Sequence, residues 1–240
     1  MPKRIAVFQH LAVEHPGIFR DFLHADNVVV ETFELDEGAS IPSLKQFDAL
    51  WVMGGPMDVW QENEHPWLAA EKAAIRQAVC DENLPFLGVC LGHQLFAEAL
   101  GGSVKLGGEA EVGVHEVALT DSGKAHPVFQ GFVESFQCLQ WHSAEVAAVP
   151  AALSILASSP ACEVQALARQ ANQVSIQFHI EVTQDTVGEW AAVPAYEASL
   201  QQALGKNGLD IFSRATSKHL ATFNQIAEQF YRNWKDAANF

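Results

Sequence analysis

Positive charge is scarce in this chain of 240 residues: 14 Lys and Arg stand against 29 Asp and Glu, a formal net charge of −15. Nucleic acid binding needs a basic face to neutralise phosphates, and Ala125 to Ala168 contain no Lys or Arg at all. Nucleic acid and anionic membrane are therefore not expected partners. Long apolar runs are missing too. The longest charge-free stretch, Val146 to Cys162, is interrupted by Pro150 and Pro160, short of the ~18–20 apolar residues a membrane span needs. Met1-Pro2-Lys3-Arg4 leads straight into Ile5-Ala6-Val7-Phe8, too short an apolar segment for a secretory signal. The cysteines are few and scattered. Cys80, Cys90, Cys138 and Cys162 form no C-x-x-C pair, so neither a disulfide framework nor a zinc site is signalled, and the cytoplasm is the expected location.

What is present is core material. Apolar residues make up 49 % of the chain, with 15 Phe and 6 Trp, ample for one large core. No repeat or linker marks a boundary, so a single domain over 1–240 is expected. Short apolar runs recur at Ile5–Phe8, Val28–Val30, Ala49–Met53 and Phe86–Val89, as strands buried on both faces do. Helix-like stretches lie between them, Gly17–His24 and Pro66–Cys80. Such alternation predicts an α/β fold of three layers, a mostly parallel central sheet with helices on both faces. A strand-rich middle follows: Val112–Leu119, Phe136–Trp141, Ser154–Ser158, Val164–Arg169 and Val174–Phe178. After Thr183 the pattern turns helical. Leu220, Phe223, Ala227, Phe230, Tyr231 and Trp234 recur at three- and four-residue steps, which predicts a terminal amphipathic helix docked on the core.

The chemistry concentrates in Leu84-Pro85-Phe86-Leu87-Gly88-Val89-Cys90-Leu91-Gly92-His93-Gln94-Leu95-Phe96. An apolar strand runs into G-x-C-x-G and then a helix, a nucleophile elbow with Cys in place of Ser. A Cβ at Gly88 or Gly92 would clash in so tight a turn. The turn is expected to leave Cys90 strained and exposed at the carboxyl end of a strand, where open α/β sheets bind ligands. A helix N-terminus favours thiolate there, and the Leu91 N–H points where an oxyanion would form. Cys80, Cys138 and Cys162 read instead as buried, inert thiols.

A thiol nucleophile needs a base and an orienting group. Val174-Ser175-Ile176-Gln177-Phe178 runs into His179-Ile180-Glu181, which places His179 and Glu181 past a strand end on the edge that carries Cys90. Residues two apart in extended chain point to one side, so Glu181 can reach His179. A metal reading of this pair lacks a third ligand at recognisable spacing. Finally, Trp51-Val52-Met53-Gly54-Gly55-Pro56 ends a buried strand in adjacent glycines, which let backbone N–H groups approach a ligand closely. A plain Gly-Pro turn is the competing reading.

These three segments, in this order, resemble the class I glutamine amidotransferases of the triad type: a Gly-Gly-Pro loop, G-x-C-x-G-x-Q, then H-P-E. The resemblance covers Ala49 to Thr183 by motif and is strongest to the glutaminase domain of GMP synthase and its stand-alone relatives, γ-glutamyl peptidases included. It implies Cys90 as nucleophile, His179 as base and Glu181 as orienting acid, with Gly55 and Leu91 as oxyanion donors. It further implies Gln94, Gly54 and His142 as substrate contacts, the last within Trp141-His142-Ser143, and needs no metal or cofactor. One departure is plain: Ile180 stands where the family has Pro, and a looser turn is expected, with both catalytic side chains retained and activity surviving at a reduced level. No G-x-x-x-x-G-K-[ST] loop and no S-G-G-x-D-S stretch occurs, so any ammonia acceptor would be a separate synthase subunit. Three readings follow: a hydrolase of glutamine or another γ-glutamyl compound, a glutaminase subunit, or a relative with a dead triad serving as a binding module.

Overall fold

Strands without a polar face must be covered twice, and parity along the first strand shows how. In the computed structural model, which describes residues 1–240, β1 (Arg4–Gln9) sends Ile5 and Val7 to one face of the sheet and Ala6 and Phe8 to the other. Helix α1 (Phe19–Ala25) follows, then β2 (Val29–Glu34), β3 (Ala49–Val52) and α2 (Trp67–Arg76), which continues as a wider π turn over Gln77–Asp81. After β4 (Phe86–Val89) and α3 (Leu91–Ala99) come β5 (Ser103–Leu119), a short α4 (Asp121–Ala125) capped by Thr120, and β6 (Ser135–Ala148). Strands β7 (Ser154–Ser158), β8 (Ala166–Gln170) and β9 (Gln173–Ile176) precede α5 (Thr186–Ala191), α6 (Pro194–Leu204) and α7 (Gly208–Ala238).

All nine strands join one sheet in the order β2-β1-β3-β4-β9-β8-β7-β5-β6. The first five in that order run parallel and the rest antiparallel. The α/β architecture is as the sequence predicts, and the carboxyl ends of β1, β3, β4 and β9 converge on one edge. Phe19 and Leu23 of α1 with Phe230 and Trp234 of α7 cover Ile5, Val7 and Trp51. On the opposite face, Leu68 and Ile75 of α2 and Leu95 and Phe96 of α3 cover Ala6, Phe8, Leu50 and Val52. A third cluster joins Val112 and Trp141 of the β5–β6 ribbon to Trp190 of α5, Tyr196 and Leu200 of α6, and Phe212 of α7. That cluster roofs the carboxyl edge.

Two local expectations differ. Val28–Val30 reads as a fully buried strand, yet β2 is the outermost strand and leaves Val29 and Val30 partly exposed, 43 % and 37 %. An edge strand has one neighbour, so its apolar run has less to pack against. The ribbon is also longer than its apolar cores, because β5 and β6 continue as paired backbone through polar residues past an irregularity between Leu106 and Glu111. Helix α7, 31 residues long, carries its apolar stripe against the sheet as predicted, and no helix is long and apolar enough to cross a membrane.

Candidate active site

The turn between β4 and α3 is held from several sides. Cys90 has φ +52° and ψ −104°, a conformation that costs an L residue on the order of 1–3 kcal/mol and persists only where its surroundings impose it. Its N–H donates to the Ile176 carbonyl at 2.9 Å, and its own carbonyl accepts from the His93 and Gln94 N–H groups. A Cβ on Gly92 would lie 2.1 Å from the Val52 carbonyl oxygen, and one on Gly88 2.6 Å from that of Gly92. The glycines are thus required by packing, as the motif implies. The thiol, however, is not on open surface: Cys90 is 8 % exposed and sits in a recess of about 210 Å³ shared with Gly55, Leu91, Gln94, Trp141 and Tyr196. The ribbon and α6 wall it in, which local sequence around Cys90 cannot show.

His179 lies three residues beyond β9, where its backbone pairs with Leu139 through bonds of 2.8 and 3.1 Å. Its Nδ1–H donates to Glu181 Oε1 at 2.6 Å, and both side chains are buried. Burial, the largest influence, opposes a charge on His179; the Glu181 carboxylate and the Cys90 side chain outweigh it and hold the ring well above its ordinary pKa. Ile180 changes the turn differently from expectation. It is fully buried in the core, and its N–H, which proline would lack, donates to Glu181 Oε2 at 3.0 Å. Both carboxylate oxygens of Glu181 are therefore held, so the turn is tied rather than slack. The backbone behind it is tied as well. Ile18 N–H donates to the Glu181 carbonyl at 2.7 Å, and Gly17, at φ +50°, approaches that oxygen so closely that a Cβ would overlap it at 1.7 Å.

The Gly54–Gly55 loop borders the same recess. A Cβ on Gly54 would meet Glu14 Oε2 at 2.4 Å, and one on Gly55 would meet Leu91 Cδ2 at 2.9 Å. The Gly55 N–H makes no hydrogen bond within the chain, and the Leu91 N–H belongs to the first turn of α3, which has no earlier helical carbonyl to bond. Gln94 borders the recess, but its Nε2 is spent on Ala144 O at 3.1 Å and Gln177 Oε1 at 3.0 Å. His142 borders it too, with both ring nitrogens engaged by Ala144 O and Glu111 Oε2. It offers the recess ring surface and no free nitrogen. Glu111, His142 and Cys162 approach one another within 4.8 Å; the Glu111 carboxylate is already occupied by Ser159, Gln165 and His142, which makes the group a hydrogen-bonded network.

Comparison with known proteins assigns the family. The family model for glutamine amidotransferase class-I matches residues 18–190. The chain belongs to this family. Its relatives include a glutamine-hydrolyzing GMP synthase subunit from Sulfolobus acidocaldarius, 34 % identical over 154 residues that span 64 % of this chain and 77 % of that one. The glutamine amidotransferase-like protein YfeJ of Salmonella typhimurium is 27 % identical and matches over 95 % of both chains. A glutamine amidotransferase structure from Methylobacillus flagellatus superposes with a TM-score of 0.86 at 26 % identity, covering 99 % of this chain and 96 % of that one. Glutamine hydrolysis is thereby the general chemistry of the family to which this chain belongs.

Sequence reasoning missed the part of the candidate site that follows β1. Tyr196 of α6 donates its hydroxyl to the buried Glu14 carboxylate, and burial raises the pKa of both groups. Gln177 is fully buried, with Nε2 3.6 Å from Cys90 Sγ. Its orientation is fixed by logic: Ala144 O can only accept, so Gln94 presents its amide nitrogen there and to Gln177 Oε1, leaving Gln177 Nε2 for the sulfur. His10 and Glu14, polar residues just beyond the carboxyl end of a buried strand, were the available signal.

Proposed function

We propose that Cys90, His179 and Glu181 form a triad that hydrolyses a γ-glutamyl amide through a γ-glutamyl thioester. The observation that carries this reading is the meeting of a strained Cys90, a buried His179–Glu181 pair and the unbonded Gly55 N–H at one sheet edge. Glu181 holds the His179 tautomer with Nε2 free for proton transfer. The Cys90 thiolate attacks the γ-carbonyl carbon, and the resulting oxyanion takes hydrogen bonds from the Gly55 and Leu91 N–H groups. Protonated His179 gives its proton to the nitrogen as the C–N bond breaks, releasing ammonia or an amine. Water, deprotonated by His179, then attacks the thioester; the C–S bond breaks, and glutamate leaves. Gln94, through its carbonyl oxygen, Gly54 and His142 are the proposed substrate contacts. The reaction uses no cofactor or metal, and the chain acts as one domain over 1–240 in the cytoplasm.

A second reading is favoured by the relatives named as GMP synthase subunits: the chain is a glutaminase component that hands ammonia to a separate synthase. The test is glutamate release from glutamine and from γ-glutamyl dipeptides, beside Cys90→Ala. Turnover of a dipeptide well above glutamine, lost in the variant, identifies a self-sufficient γ-glutamyl hydrolase. Preference for glutamine keeps a free-standing glutaminase. Silence while a glutamine-like electrophile still labels Cys90 indicates a glutaminase that is latent until its synthase docks, and silence without labelling refutes the catalytic reading.

A further inference from the structure

His10 has no place in the reaction as described, yet its ring is held from three sides next to the site. It is fully buried, at the end of β1, and borders no part of the recess. Its Nδ1 lies 2.7 Å from the Gly54 carbonyl oxygen and its Nε2 2.9 Å from Glu71 Oε1 of α2. The ring stacks on Trp67, centroids 5.3 Å apart and planes within 12°. The ring is thus fixed in both in-plane directions and across its face.

The identity of the acceptor gives the arrangement its meaning. The Gly54 carbonyl and the Gly55 N–H are two ends of one peptide unit, and that unit is trans. In a trans peptide the C=O and N–H bonds point in opposite directions. Fixing the carbonyl toward His10 therefore fixes the N–H away from it, on the side where Gly55 borders the recess beside Leu91. With glycine on both sides of this peptide, no Cβ restricts its rotation, so side chains alone do not determine which end faces the sulfur. We propose that His10 is a positioning residue that holds the Gly54–Gly55 peptide with its N–H aimed at the oxyanion, oriented in turn by Glu71 and Trp67. A hydrogen bond accepted at the carbonyl also polarises the peptide and strengthens its N–H as a donor. Burial opposes charge on His10, and the Glu71 carboxylate beside it outweighs burial and raises its pKa above the ordinary value. The proposal rests on the reading of Gly55 as an oxyanion donor.

The test separates the Gly54 contact from the ion pair. In H10F/E71L both partners are replaced by apolar groups, so no charge is orphaned, the ring stack on Trp67 is kept, and the Gly54 carbonyl loses its donor. In H10N/E71L the ion pair is equally absent, but Asn Nδ2 stands near the former Nδ1 and can still donate. With melting curves showing both folded, kcat on the best γ-glutamyl substrate is expected to fall about 10- to 100-fold in H10F/E71L, with KM little changed, and to recover most of that loss in H10N/E71L. An aldehyde analogue of glutamate, which must form an oxyanion on Cys90, should lose affinity in parallel, while alkylation of Cys90 by iodoacetamide, which forms none, should keep its rate. E71Q alone leaves the Nδ1–H donor in place and can keep a hydrogen bond at Nε2, so its kcat should fall by less than about 5-fold; a fall of about 10-fold or more overturns the proposal even if the phenylalanine variant fails to fold. Equal kcat in the two double variants overturns it as well. Wild-type chain inactive on every γ-glutamyl compound would instead remove the underlying functional reading, and the proposal with it.

Discussion

Acid should weaken this fold through one histidine, and the effect can be worked out in advance. His93 is fully buried on α3, with Nδ1 2.9 Å from Ser175 Oγ and no partner for Nε2. Burial, aided by the neighbouring His142, lowers its pKa from 6.5 to about 3. Unfolding releases the ring to water, where it titrates near its ordinary value. Between those two pKa values the unfolded chain binds a proton that the folded chain does not, so stability falls as pH falls below 6.5 and the loss is complete near pH 3. At about 1.4 kcal/mol per pH unit, the step from pH 7 to pH 5 costs about 2 kcal/mol, a sizeable part of a total of about 5–15 kcal/mol. The perturbation is His93→Gln, which can keep a hydrogen bond to Ser175 and does not titrate. Urea unfolding of both proteins at pH 7 and pH 5 gives the readout. His10 and His179, whose raised pKa values act in the opposite sense, are common to both and cancel in the comparison. The wild type should lose about 2 kcal/mol more than the variant over that interval. Parallel losses would refute the assignment of a neutral buried His93.

Three further outcomes are expected. Cys90→Gly should abolish glutamate release yet raise stability by about 1 kcal/mol in urea unfolding, because glycine adopts φ +52°, ψ −104° without the strain that cysteine bears there; a destabilised variant would contradict stored strain at the elbow. Gly92→Ala should leave little soluble, folded protein by circular dichroism, since its Cβ would meet the Val52 carbonyl at 2.1 Å and neither backbone can yield. Ile180→Pro should lower kcat several-fold although it restores the residue typical of the family, because it removes the N–H that holds Glu181 Oε2 and leaves a gap in the buried core; equal or higher kcat would show that the ring's rigidity outweighs that hydrogen bond.

Much of the architecture was legible because its cause is local. Ile5–Phe8 and Phe86–Val89 lack a polar face since helices cover both sides, and α7 displays its stripe because one side meets the sheet. The elbow was legible for a steric reason: only glycine fits at position 92, where a Cβ would lie 2.1 Å from the Val52 carbonyl oxygen of β3. Boundaries read less well where hydrogen bonding continued without apolar side chains, as in the β5–β6 ribbon, and burial was misjudged at Val29–Val30, where sheet order put the strand at an edge.

The sequence by itself determined the α/β alternation, the family, and the three short segments that supply Cys90, His179 with Glu181, and the Gly54–Gly55 turn, because each is a pattern of neighbours within one element or turn. Only the tertiary structure decided that Cys90 is walled in by a ribbon and a helix remote in sequence, that Ile180 returns a hydrogen bond to Glu181, that Glu14 meets Tyr196 across 182 positions, and that His10 holds the Gly54 carbonyl across 44. The reason is physical. A contact between side chains brought together by strand order leaves no period along the chain, and its energy depends on the exclusion of water at a place that exists only once the sheet has formed.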